Sequence, residues 1–250
     1  LNSNKNLFTI LFFLTFFLIG IFIFPDYGIS IDEDNTRVIG FLSLEHIYNI
    51  FLPEHAPKIN EIISADRDAH FGDSTSGIVF DLPMAFLELI FKIDDSRQYY
   101  LLRHFFNFFI FFISVFFFFQ LIKKRFNSWS LGIIGTLFLL VSPRIFANSF
   151  YNNKDLLFMS LFIIGLYTSI NFLQKKDIKS AIIFAFVSSL MINLRILGLI
   201  LPSIIFLIYI INILCDKNIK TEKIYPLILF FILTPFLIIL FWPYLWETPI

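Results

Sequence analysis

Residues 105–122 read FFNFFIFFISVFFFFQLI, and Lys123-Lys124-Arg125 follow at once. The run carries no charge and then stops on three cations. A helix that crosses a bilayer needs roughly 20 mainly apolar residues, with about 17 as a lower limit. The apolar positions are continuous rather than alternating, which predicts a helix and not a barrel strand. Six more runs of this kind cover residues 7–24, 129–146, 156–173, 181–194, 196–214 and 224–242. The last third of the chain holds an apolar stretch, 181–214, that is too long for one span. Arg195 and Pro202 near its middle divide it into two helices with a tight turn at Arg195. The expected fold is an all-α, polytopic membrane helix bundle of about seven transmembrane helices.

Composition agrees. Apolar residues make up 58% of the chain and aromatic residues 20%, both above the usual content of a soluble domain. The formal net charge is zero, which gives no electrostatic footprint for nucleic acid. Cys215 stands alone and cannot form an internal disulfide. The first run is read as an uncleaved span. Phe24-Pro25-Asp26-Tyr27 lacks the small residues of a cleavage site, and Lys5 is the only cation before the run. The chain starts at Leu1 and ends at Ile250 just after an apolar run. It is therefore expected to be a single membrane domain, 1–250, of a protein whose C-terminal part is missing.

Orientation follows from the lysines. Lys123 and Lys124, then Lys175, Lys176 and Lys179, then Lys217, Lys220 and Lys223 occupy alternate connectors. Short lysine-rich loops stay cytoplasmic, which puts the N-terminus inside as well. Residues 25–98 then form a long outer loop. Sixteen of the nineteen acids fall on the outer side, so the two faces differ in chemistry. Six arginines join them: Arg37, Arg67, Arg97, Arg103, Arg144 and Arg195. The planar fork of arginine suits phosphate and carboxylate. Pairing with the local acids is the plain reading for each. Arg144 and Arg195 stand between helices at membrane depth, where charge is costly and usually functional.

Within the long loop, Ser30-Ile31-Asp32-Glu33 fits a capping box that opens a helix reaching Phe51, before Pro53. Glu45, His46 and Asn49 share one polar face of it, as in a helix lying in the membrane interface. A second interfacial helix is expected over residues 82–91 with Asp81 as its cap. Between them, residues 64–77 are polar and irregular, and connectors of this length are usually functional or disordered. Asp66, Asp68 and His70 in that stretch are candidates for substrate contacts. His46, His55 and His70 match no tight ligand spacing, so no cofactor is assigned and a divalent metal remains the minor alternative. Asp26, Asp32, Glu33 and Asp34 stand where the chain leaves the first span, and a carboxylate there is placed to act as a general base. Glu33 has a capping duty and Asp34 a solvated position. Asp32 has neither, so it ranks ahead of Glu33.

Further along, Ser142-Pro143-Arg144-Ile145-Phe146-Ala147 precedes Asn152-Asn153-Lys154-Asp155, and Asn193-Leu194-Arg195 forms a later turn. With the acidic pair after the first span, these segments resemble the GT-C class of membrane glycosyltransferases. Within it they are similar to the bacterial protein-mannosyltransferase and aminoarabinose-transferase group (glycosyltransferase family 39-like). The resemblance implies transfer of a sugar from a polyprenyl-phosphate-type donor to a lipid, glycan or protein acceptor, on the outer face of a bacterial inner membrane. It implies a base role for Asp32 and Glu33. It also implies donor-phosphate contacts from Arg144, Arg195 and Arg103 with Lys154 in support, and substrate contacts from Asn153 and Asp155. Many members of the group are longer, and here an extra acid, Asp34, follows the pair. An inverting reaction needs one base, and a retaining one more often needs two close carboxylates.

A transporter is the main rival reading, but transporters place ionisable groups near the bilayer midplane and often show repeats. The runs here carry no charge in their middles and no repeat is evident. A non-catalytic scaffold is the third reading, and the outer arginines count against it. The orientation is checked with reporter fusions. A periplasm-active reporter is expected to be silent when fused after Lys179 or Lys220 and active when inserted near Glu61.

Overall fold

The computed structural model describes residues 2–55, 77–215 and 224–247, and every regular element among them is helical. Asp66, Asp68 and His70 lie outside the described residues. In chain order the helices are α1 (Asn2–Ile23), α2 (Ile31–Phe51), α3 (Asp81–Phe91), α4 (Ser96–Phe126), α5 (Trp129–Val141) and α6 (Pro143–Tyr151). They continue with α7 (Asp155–Lys175), α8 (Ile178–Leu194), α9 (Ile200–Cys215), α10 (Tyr225–Leu240) and α11 (Tyr244–Glu247). Short 3-10 turns join several of them, including Ile196–Leu199 between α8 and α9.

Each of the seven apolar runs forms helix, but the number long enough to cross a bilayer is four, or five if a bent pair is one span. The four are Asn4–Asp26, Ser96–Phe126, Asp155–Lys175 and Ile196–Cys215. The expected seven are therefore not all present at full length. Helices α8 and α10 have 17 and 16 residues, about 25 Å at 1.5 Å per residue. The run 129–146 is the bent pair. Helices α5 and α6 meet at 70°. Pro143 has no N–H to continue α5, and it forces Ser142 before it into extended backbone, φ −65° and ψ 110°.

The described chain forms two compact units, Leu1–Glu33 with Ile93–Tyr167 and Asp34–Lys92 with Thr168–Ile250. The first is built on phenylalanine. Between helices in lipid there is no hydrophobic gain from burial, so shape and ring contacts must supply cohesion. Phe16 of α1 packs edge-on against Phe108 of α4, with centroids 5.6 Å apart. Phe108 stacks on Phe150 of α6 at 5.1 Å, and Phe150 stacks on Tyr27 at 4.5 Å. One row of rings thus ties α1, α4 and α6 to the segment that leads into α2. Gly20 keeps α1 close to this row, because a side chain there would collide with the Phe108 ring.

In the second unit, α2 packs on α3 through Val38, Phe41, Leu44 and Ala85. The two backbones come so close at Gly40 that a methyl group there would lie 2.6 Å from the Asp81 carbonyl oxygen. Asp81 is the first residue of α3 rather than its cap. Phe80 holds the cap position and makes no side-chain bond, so the expected Asp81 cap is corrected. Arg37 Nε donates to Glu88 Oε2 at 2.8 Å with both side chains buried, and the Arg37 guanidinium also lies 5.0 Å from the centre of the Phe41 ring. The plain reading of Arg37, pairing with a neighbouring acid, is the one observed. Helices α8 and α10 stack Phe184 on Phe230 nearly parallel at 4.9 Å, and Phe172 stacks on Tyr209 at 4.9 Å.

Gly40→Ala is expected to destabilise the protein by about 1–3 kcal/mol, since the clash is with backbone and not with a movable side chain. A thermal-unfolding series in detergent measures this, with Gly28→Ala as the control because nothing stands within 4 Å of that position.

Candidate active site

The first unit gathers the acids of the α2 N-terminus with residues of α4 and α6. Tyr27, stacked on Phe150, holds the chain just before the turn into α2. Burial, together with neighbouring Tyr151, pushes the Tyr27 hydroxyl above the ordinary tyrosine value, so it stays neutral. The Ser30 hydroxyl donates to the Tyr151 carbonyl at 3.4 Å. Its backbone N–H donates to Glu33 Oε2 at 2.7 Å. Only half of the expected capping box therefore forms. Glu33 reaches back to Ser30 as expected, but the serine hydroxyl is used to fasten α2 to the end of α6.

Glu33 and Asp32 then differ sharply. Glu33 is 1% exposed, and its Oε1 lies 3.0 Å from Nε2 of His104. This is an ion-pair separation whose geometry is not that of a hydrogen bond. Asp32, one residue earlier, is exposed. The adjacent acids point one carboxylate into the fold and one away from it.

Helix α4 begins at Ser96, nine residues before the uncharged run, and its first turns carry buried Arg103, His104 and Asn107. Arg103 is 1% exposed and engages other groups within the fold. Among the described residues, neither His104 Nδ1 nor the Asn107 amide has a hydrogen-bond partner. Buried polar groups in that state cost about 1–3 kcal/mol each, and such groups concentrate at functional sites. His104 was not anticipated from sequence. It sits directly before the uncharged run, and a histidine at the mouth of a span was the available signal.

Arg144 lies at the start of α6 and Lys154 just after its end. Arg144 is exposed in the first turn, and its carbonyl accepts from the Asn148 amide at 2.7 Å. Lys154 is half-buried in the turn before α7. Asn152 supplies the cap of α7, since its Oδ1 accepts from the N–H groups of Lys154 at 3.3 Å and Asp155 at 2.8 Å. Asn153 is buried and Asp155 is exposed. Arg195 belongs to the second unit, where it is half-buried in extended backbone at the C-terminal cap of α8. Next to it, the Asn193 carbonyl accepts from Gly77 N–H at 2.6 Å. No group of three or more His, Cys, Asp and Glu able to hold a metal ion occurs among the described residues.

Residues 82–242 match the dolichyl-phosphate-mannose-protein mannosyltransferase family, which is more than half of the chain. The chain belongs to this family. The resemblance read from the acidic pair and the Pro143–Asp155 segment is borne out at this level. No curated protein and no solved structure matches the chain. The mannosyltransferase-family region includes Arg103, His104, Arg144, Asn153, Lys154 and Arg195, and it begins downstream of Asp32 and Glu33. With its long apolar helices, this member is an integral membrane protein.

If Glu33 fastens α2 to α4, the charge and the shape of its side chain should separate in mutation. Glu33→Ala leaves Ser30 N–H and buried His104 without the carboxylate, and is expected to cost about 2–4 kcal/mol. Glu33→Gln keeps the acceptor for Ser30 and should cost less than half as much. Unfolding midpoints of the two variants in detergent give the comparison.

Proposed function

We propose that this family member transfers a sugar from a polyprenyl-phosphate-type lipid donor to an acceptor on the outer face of the membrane, with inversion, and that Asp32 is the base. Family membership supports the glycosyltransferase class and the lipid-linked donor. The division of labour between the adjacent acids supports the choice of Asp32: Glu33 is occupied by Ser30 and His104, whereas Asp32 is exposed at the start of α2.

In this reading the acceptor hydroxyl or amine attacks the anomeric carbon as Asp32 takes its proton. The sugar–phosphate bond breaks, and the phosphate leaves as an anion that needs no protonation. Cations near the departing oxygens stabilise the transition state, because they are in place before charge develops. Arg144 is exposed and Lys154 half-buried in the first unit, and their positions at the start of α6 and just after its end suit that part. Arg103 is enclosed and is assigned to holding α4 rather than to meeting the donor. Apolar helix surface accommodates the polyprenyl chain.

The test is sugar transfer from a labelled polyprenyl-phosphate donor by the full protein in membranes. Asp32→Asn is expected to reduce turnover by about 10²–10⁴ with little change in unfolding midpoint, because the side chain is exposed. Unchanged turnover removes Asp32 from the mechanism. A drop of similar size in Glu33→Gln with Asp32→Asn active would transfer the base role to Glu33.

A further inference from the structure

The other end of α4 carries a second polar site that the transferase reading does not use. A cleft of about 570 Å³ opens there in the first unit, within the usual range for small-molecule sites. Lys5, Lys123, Lys124, Gln120, Trp129 and Tyr167 line it. All three lysines are exposed. His104 and Lys123 are 19 residues apart on one continuous helix, about 28 Å along its axis. The cleft is thus far removed from Asp32 and Glu33.

Local bonding builds this cleft. Helix α4 ends on Asn127 in the left-handed region, φ 49°, and its last turn closes through the N–H groups of Asn127 and Ser128 onto the Lys123 carbonyl. Ser128 then caps α5 by accepting from Leu131 N–H at 3.4 Å. Trp129 Nε1 donates to the Thr9 hydroxyl at 2.9 Å, which donates to the Lys5 carbonyl at 2.8 Å. Phe8 packs edge-on against Trp129 at 5.4 Å. This chain fastens the N-terminal part of α1 to the start of α5 and so keeps Lys5 at the same cleft as Lys123. Lys123 is further held over the Phe119 ring, 5.8 Å from its centre. Tryptophan and tyrosine with lysine at the end of membrane helices mark headgroup depth, where lipid phosphates lie.

We infer that this cleft binds the phosphate group of an anionic phospholipid headgroup. Three ammonium groups around a concave polar surface favour an anionic diester over a zwitterionic headgroup, whose own cation would meet the lysines. Each lysine near such a surface contributes about fivefold in affinity.

The experiment uses the protein with Trp242→Phe and Trp246→Phe, which leaves Trp129 as the only tryptophan of residues 1–250, and any tryptophan outside them is likewise replaced by phenylalanine. It is placed in phosphatidylcholine vesicles containing either brominated phosphatidylglycerol or brominated phosphatidylcholine, and Trp129 fluorescence is read. Quenching by phosphatidylglycerol is expected at an at least fivefold lower mole fraction. In Lys5→Gln/Lys123→Gln/Lys124→Gln the two lipids should quench alike, and the matching triple Lys→Arg variant should regain the preference. Equal quenching in the starting protein, or a preference that survives the glutamine variant, overturns the proposal. So does the loss of preference in both triple variants with unchanged unfolding midpoints. Inorganic phosphate and sodium chloride at matched ionic strength separate the sources. A preference that persists in both assigns the site to the lipid. Loss in phosphate alone shows a phosphate site open to the free ion as well. Loss in both salts shows simple surface attraction and overturns a built site. Sugar transfer is not part of the readout, so the result stands apart from the Asp32 assignment.

Discussion

Phe150 is the side chain on which the first unit depends. It is fully buried, with Phe108 on one side and Tyr27 on the other. Helices immersed in lipid gain little from burying apolar surface, because the surroundings are equally apolar. What remains is close fit, and flat rings give a large contact area with few torsions to fix. The row of rings therefore does more than fill space. It sets where the chain emerges from α1, which places Ser30 against the Tyr151 carbonyl and determines where the acids of α2 begin. The candidate chemistry is thus attached to the buried aromatic cluster of the unit.

The adjacent acids show how a helix start can separate two identical functional groups. Successive residues on a helix are about 100° apart, so Asp32 and Glu33 cannot face the same way. One carboxylate is enclosed by a backbone N–H and an imidazole. The other stays in contact with the surroundings. The proposed base must be reachable as well as correctly charged, and both exposure and bonding separate the two acids on that count. The enclosed acid instead keeps the first turn of α2 in one orientation, which fixes where its neighbour points.

Much of this was legible in the sequence, and the rest was hidden for identifiable reasons. Uncharged runs locate helices well, because lipid leaves the backbone few alternatives. The start of α2 after Ser30 and its end at Phe51 followed from capping chemistry and Pro53. The division of 181–214 at Arg195 was also readable. The bend at Ser142–Pro143 was not taken from the sequence, although proline offers the clue, because apolar residues continue on both sides of it. Span count by hydropathy ignored this break and the shortness of α8 and α10. The partner of Glu33 lies 71 positions away on α4, and no local pattern carries a contact of that range. A search for charge confined to uncharged runs also passes over His104, which sits one residue outside the run.

Arg37 and Glu88 have a bearing on how the protein is made. The two residues are 51 positions apart, and each is buried against the other. A chain grows at about 5–20 residues per second, so the guanidinium exists for about 3–10 s before its carboxylate has been synthesised. During that interval the Arg37–Glu88 bond between α2 and α3 cannot form. The packing of α2 on α3 is therefore completed only once residue 88 has been made. The first span, complete by residue 26, is synthesised well before that contact becomes available.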